Sequence, residues 1–179
     1  MLPPAIIEIV ASGFGSASYP VEIGIVATSG AAYCSLVRPA PDWTQWETPA
    51  LASFGFTRAI LKKYGKSPRE VAMDLNSMLR DGCVYSEDAS DDQGWLDQLF
   101  GRAGIAQRFC IVALDTLLTQ HQCAHWRRVK ARAEAFAGPQ RHRASGEARL
   151  VQSTYVELTA ACAPTEIMEI PSGLLRPAS

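Results

Sequence analysis

The stretch that decides the fold is Ile6–Val26, IIEIVASGFGSASYPVEIGIV. Two apolar runs, Ala5–Val10 and Val21–Val26, flank a segment rich in Gly and Ser, and Gly13, Gly15 and Pro20 break the pattern between them. Runs of this length and composition read as strands, and so short a link makes them an antiparallel pair. Side chains alternate across a strand. Ile6, Glu8 and Val10 therefore share one face, and Ile7 and Ile9 the other. Glu8 is thus a carboxylate within an apolar strand. Such a group costs stability unless it is paired, protonated or bound to a cation.

Working outward, Ala31–Arg38 reads as a third strand, joined to the second by the turn Thr28–Gly30 and ended by Pro39 and Pro41. The three make an antiparallel meander. Trp43 and Trp46 follow. They can stack on bases or pin a loop to the core, and pinning is the commoner use of such residues. A short helix falls within Pro49–Gly65. Ser67-Pro68-Arg69-Glu70 is a helix start, with Ser as cap, Pro at the first position and Glu closing a capping box. That helix runs to about Arg80. Cys83–Ser86 is a short strand. The acids Glu87, Asp88, Asp91 and Asp92 precede an amphipathic helix that begins about Asp91 and carries Trp95, Leu96, Leu99 and Phe100. Phe109–Leu114 is a fifth strand, Thr116–Ala137 a helix with a basic outer side, and Arg141–Ala161 a last long helix. This order describes an α/β protein, a mixed sheet with helices packed on its faces.

The 179 residues suit one domain with a real core, and 20% charged against 47% hydrophobic residues is a soluble globular balance. A net charge of −1 gives no overall field for a polyanion. No apolar run approaches the ~20 residues of a membrane span, and no secretory signature opens the chain. Five cysteines, odd in number and widely spread, read as reduced core thiols of a cytoplasmic protein.

The opening stretch resembles the first motif of the DEDDh 3′–5′ exonucleases, which have an RNase H-like fold. In that motif a strand with Asp-x-Glu leads through a Ser/Thr-Gly turn into a second strand. Here the Asp position is Glu8 and the Glu position is Val10. Asp92, with Trp95 three residues on, is similar to the family's helix-borne second motif. HRASGEARL (His142–Leu150) is similar to its third, with His142 followed five residues later by Glu147 in place of Asp. The resemblance covers about Ile6 to Leu158. It implies a domain over residues 1–163 with a peripheral tail over 164–179. It further implies a hydrolase using Mg²⁺ or Mn²⁺, with Glu8, Asp92 and Glu147 as metal ligands and His142 as the base on the attacking water. Hard divalent ions need several oxygen ligands, and Val10 offers none. The partner implied is a single-stranded or 3′-end nucleic acid, with no membrane. A homodimer is left open.

Two functions stay open on these residues. One is a divalent-metal-dependent 3′–5′ exonuclease impaired at Val10. The other is a catalytically inactive exonuclease-like domain that binds nucleic acid or protein. Glu22, in the second strand, is read as structural, with a role as substitute carboxylate open. His121 and His125 have a spacing zinc uses, but no further ligand accompanies them, and a solvated helix face is favoured. Arg102–Arg149 is rich in Lys and Arg, whereas Asp74–Asp97 holds acids and only Arg80. Arg127, Arg128, Lys130, Arg141 and Arg143 are the expected phosphate contacts.

Overall fold

A computed structural model describes residues 2–47, 51, 55–136 and 143–161. Five strands form one sheet: β1 (Ile6–Ala11), β2 (Pro20–Val26), β3 (Ala32–Leu36), β4 (Cys83–Ser86) and β5 (Cys110–Ala113), in the order β3-β2-β1-β4-β5. The first three make the expected antiparallel meander, while β4 runs parallel to β1 and β5 parallel to β4. The helices are α1 (Arg58–Tyr64), α2 (Pro68–Leu79), α3 (Ala89–Ala103), α4 (Gln120–Phe136) and α5 (Ala144–Ala161).

The period-two pattern of β1 divides the core. Ile7 and Ile9 join Val21, Ile23 and Ile25 of β2 beneath Val71, Leu75, Leu96 and Leu99 of α2 and α3. Ile6 and Val26 face the other way, against Ala148, Val151 and Tyr155 of α5. Helix α4 packs on α5. Gly24 sets the height of α5 over the sheet. A Cβ built there would lie 2.1 Å from Ser145 N and 2.2 Å from Ala144 C, so only glycine admits the helix so close. The register brings Glu8 opposite Gly24 and Val10 opposite Glu22, with a bulge between Val10 and Ala11.

Capping explains the helix starts. Ser67 and Glu70 form the expected box at α2. Helix α4 begins at Gln120, later than Thr116, because Leu114–Leu117 makes a 3₁₀ turn and Thr119 and Gln122 form a second box. The fifth strand is accordingly shorter than Phe109–Leu114, and α3 starts two residues before Asp91. Trp43 is buried and stacks on Tyr19, with ring centroids 4.9 Å apart, so it pins its loop to the core.

The expectation of reduced core thiols fails. Cys83 and Cys110 are register partners on β4 and β5, with Cα atoms 4.6 Å apart, and they form a disulfide in exposed positions. Parallel pairing sets the two thiols face to face, which no spacing in the sequence reveals. Cys34 and Cys123 are free, Cys123 in an exposed position. Cys162 lies outside the described residues. Among the described residues no helix is long and apolar enough to cross a membrane.

Candidate functional site

β1 and β4 are parallel, and their carboxyl ends open on the same side, where α3 and α5 begin. Open α/β sheets bind ligands at such ends. A cleft of about 300 Å³ lies there, lined by Glu8, Val10, Phe14, Glu47, Trp95, Arg143 and Glu147 among others. The loop between β1 and β2 forms one wall and is tied on both sides. Glu47 Oε1 accepts from Phe14 N at 3.0 Å, and Gln45 Nε2 donates to Phe14 O at 2.8 Å. From α3, Trp95 Nε1 donates to Ser18 Oγ at 2.7 Å. Held in this way, Phe14 remains 77% exposed and borders both this cleft and a second one lined by Ser16, Asp91, Trp95 and Gln98.

The acids of the site have different fates. Glu8 sits on β1 facing α5. Its Oε1 is shut off from solvent and has no hydrogen-bond partner. Burial raises its pKa well above the ordinary carboxylate range, and the negative charges of Asp92, Glu87 and Glu147 add to the shift, against the opposing charge of Lys130. Asp92, in the first turn of α3, is buried behind the cleft and accepts from Ser86 Oγ at 2.6 Å. Burial pushes its pKa up to about 7; the Ser86 bond works against that rise, and Asp88 and Asp91 add to it. Desolvation is the larger cause at both, and repulsion between the clustered acids adds to it.

Glu147, in the first turn of α5, lines the cleft and lies 3.3 Å from Lys130 Nζ. Glu87, just past β4, pairs with the same ammonium through Oε2 and accepts from Trp126 Nε1 through Oε1 at 2.6 Å. Burial opposes the charge on Lys130, yet the hydrogen bonds and charges of Glu87 and Glu147 outweigh it and raise its pKa.

Glu22 is fully buried and has both oxygens engaged. Oε1 accepts from Arg143 Nε at 2.6 Å, and Oε2 from Ala144 N at 2.8 Å, which caps α5. It lies across from Val10, yet it has no oxygen free to replace the missing acid.

Of the residues expected to act together, Glu8 and Glu147 share the cleft with Val10, and the charge of Asp92 acts on Glu8. His142 and Arg141 lie outside the described residues. Arg127 and Arg128 are exposed on α4, whereas Lys130 and Arg143 have carboxylate partners. His121 and His125 stack with ring centroids 4.3 Å apart, and His121 O is 2.9 Å from His125 Nδ1. Glu87 and Glu47 are the site residues that sequence reasoning missed. Glu87 had a signal, an acid immediately after a parallel strand; Glu47 had none.

The unpartnered Glu8 oxygen invites a cation or a proton. The remaining donors do not fit a divalent ion. Asp92 is bonded to Ser86, Glu87 and Glu147 hold an ammonium, and Val10 supplies no oxygen. Among the described residues no three of His, Cys, Asp and Glu gather closely enough to hold a metal.

No protein-family model matches the chain, and no curated protein matches it. Solved structures do. One structure of exonuclease I aligns with a TM-score of 0.69 at 12% identity, over 92% of this chain and 42% of that one. E. coli exonuclease I in complex with a dA16 oligonucleotide aligns at 0.68 and 13%, over 92% and 42%. The zinc-ion-bound form of the E. coli enzyme with single-stranded DNA aligns at 0.69 and 12%, over 90% and 41%. The chain thus spans about two fifths of the length of these proteins. It has their RNase H-like α/β fold.

Proposed function

We propose that the chain is an exonuclease-fold domain that receives a single-stranded nucleic-acid end in the cleft beside Glu8 and Phe14 and has lost efficient phosphodiester hydrolysis. The observation that carries this reading is Val10. It stands on the Glu8 face where the resemblance calls for a second acid, and its cross-strand neighbour Glu22 is committed to Arg143 and the start of α5. The oligonucleotide complexes among the similar structures support the choice of ligand. With Lys130 and Arg143 ion-paired, phosphate contacts fall first to Arg127 and Arg128, which are exposed. The second reading, weak metal-dependent 3′–5′ cleavage with His142 as base, draws on the orphaned Glu8 oxygen.

Two measurements on a labelled single-stranded oligonucleotide test this. Anisotropy should show binding that weakens with salt, with the log–log slope reduced by roughly two in an Arg127→Ala/Arg128→Ala variant. Incubation with Mn²⁺ should leave the oligonucleotide intact. Val10→Glu with Glu8→Asp, Glu147→Asp and Lys130→Met, the last to free the acids that ammonium holds, should then raise removal of 3′ nucleotides on the order of 100-fold, about 2.7 kcal/mol of barrier. A parent that cleaves as fast as this variant overturns the loss of hydrolysis, and salt-indifferent binding overturns the phosphate contacts.

A further inference from the structure

Three elements bring carboxylates to the rim of the cleft and to its flank: β1 with Glu8, the end of β4 with Glu87, and α5 with Glu147. Helix α4 brings one cation to them. Lys130 Nζ pairs with Glu87 Oε2 and lies 3.3 Å from Glu147 Oε1, and its side chain is 20% exposed. Trp126, one turn earlier, binds the other oxygen of Glu87. Lys130 thus has a carboxylate on each side, and Glu87 has no oxygen unused.

We propose that Lys130 is the resident cation of this carboxylate cluster and that its ammonium keeps divalent ions out. The inference rests on the site described above and deepens the reading of a non-hydrolytic domain. An ammonium is satisfied by a few acceptors, whereas Mg²⁺ or Mn²⁺ needs about six oxygens in near-octahedral array. A tethered cation also competes at a high effective concentration that no added metal easily matches. To enter, a divalent ion must break both ion pairs of Lys130 in a poorly solvated place, and leaving that ammonium unpaired is costly. The same contacts fasten α4 to the end of the sheet, so Lys130 ties together the helix and the cluster.

Isothermal titration with Mn²⁺, at constant ionic strength and without nucleic acid, tests the proposal. The parent and Lys130→Arg should bind Mn²⁺ no better than a background of scattered surface sites. Lys130→Met, in which the side chains of Glu87 and Glu147 are free to turn toward one ion, should bind at least roughly tenfold more tightly, and adding Glu147→Gln to it should abolish the gain. Equal affinity in the parent and Lys130→Met, or no gain in Lys130→Met, overturns it. Should Lys130→Met not fold, acetylation footprinting of the unaltered protein decides. Lys130 should react far more slowly than the exposed Lys62 and Lys63, with no change in millimolar Mn²⁺. Acceleration by Mn²⁺ would mean that the ion displaces the ammonium. Neither readout involves an oligonucleotide, so failure to bind nucleic acid and failure of this assignment are separate results.

Discussion

Glu22 and Glu8 lie on adjacent strands and face the same helix, yet they represent opposite solutions for an acid in a sheet. Glu22, fully buried, receives a guanidinium and a backbone N–H and fixes where α5 begins. Glu8, one register pair away on that face, has an oxygen with no donor and three acids in its field. The difference lies in the partners, since both residues are glutamates in apolar strands. A buried carboxylate with donors holds structure together; one without them keeps a capacity for a proton or a cation.

The largest effect expected from the poorly satisfied side is on pH dependence. Asp92 has an ordinary value of 3.8 and a folded-state value of about 7. Between these values the folded chain holds a proton that the unfolded chain has released. The contribution of Asp92 to stability is therefore greatest below about pH 4, falls as pH rises towards 7, and is level above it. The loss is on the order of 4 kcal/mol. Glu8 is shifted in the same direction. Urea denaturation at mildly acid and mildly alkaline pH should show this slope, and Asp92→Asn should reduce it. A parent equally stable at both ends would contradict the raised value.

On the satisfied side, Glu22→Gln keeps the shape and removes the charge. It should cost about 2 kcal/mol, because Arg143 is half-exposed and regains water. A cost below a few tenths would mean that shape alone seats α5. The mirror substitution, Glu8→Gln, should have the smallest effect and the opposite sign. A gain is expected at pH 8, vanishing in acid, since the neutral amide escapes the cost that burial puts on the ionised carboxylate. If both substitutions destabilise alike, the contrast between the two acids fails.

Alternation in β1 and β2, the Gly and Ser turns and the Ser67 box made the meander, the two-sided core and α2 legible from sequence. The Glu8–Val10 face was equally legible, because the strand period fixes it. What escaped was set by partners distant in the chain. Glu22 read as structural, but its cap on α5 lies 122 residues away. Lys130 read as a phosphate contact because a basic helix shows its charges and hides the acids that meet them. Cys83 and Cys110 read as separate thiols because parallel strands pair residues whose separation, here 27, carries no periodic signal. The start of α4 was within reach, since Thr119 and Gln122 have capping-box spacing, but the helix was drawn back to Thr116.

The bond between Glu22 and Arg143 also carries a consequence in time. It closes a loop of 121 residues, with a chain-entropy cost of about 4 kcal/mol beyond a constant. At the usual ~5–20 residues per second, a ribosome takes roughly 6–24 s to travel from one partner to the other. Throughout that interval the nascent meander carries Glu22 with neither its guanidinium nor its backbone donor, and the α5-facing side of β1 and β2 has nothing to pack against. The sheet is thus written first and sealed last, and the seal is the one acid on that face that has all its partners.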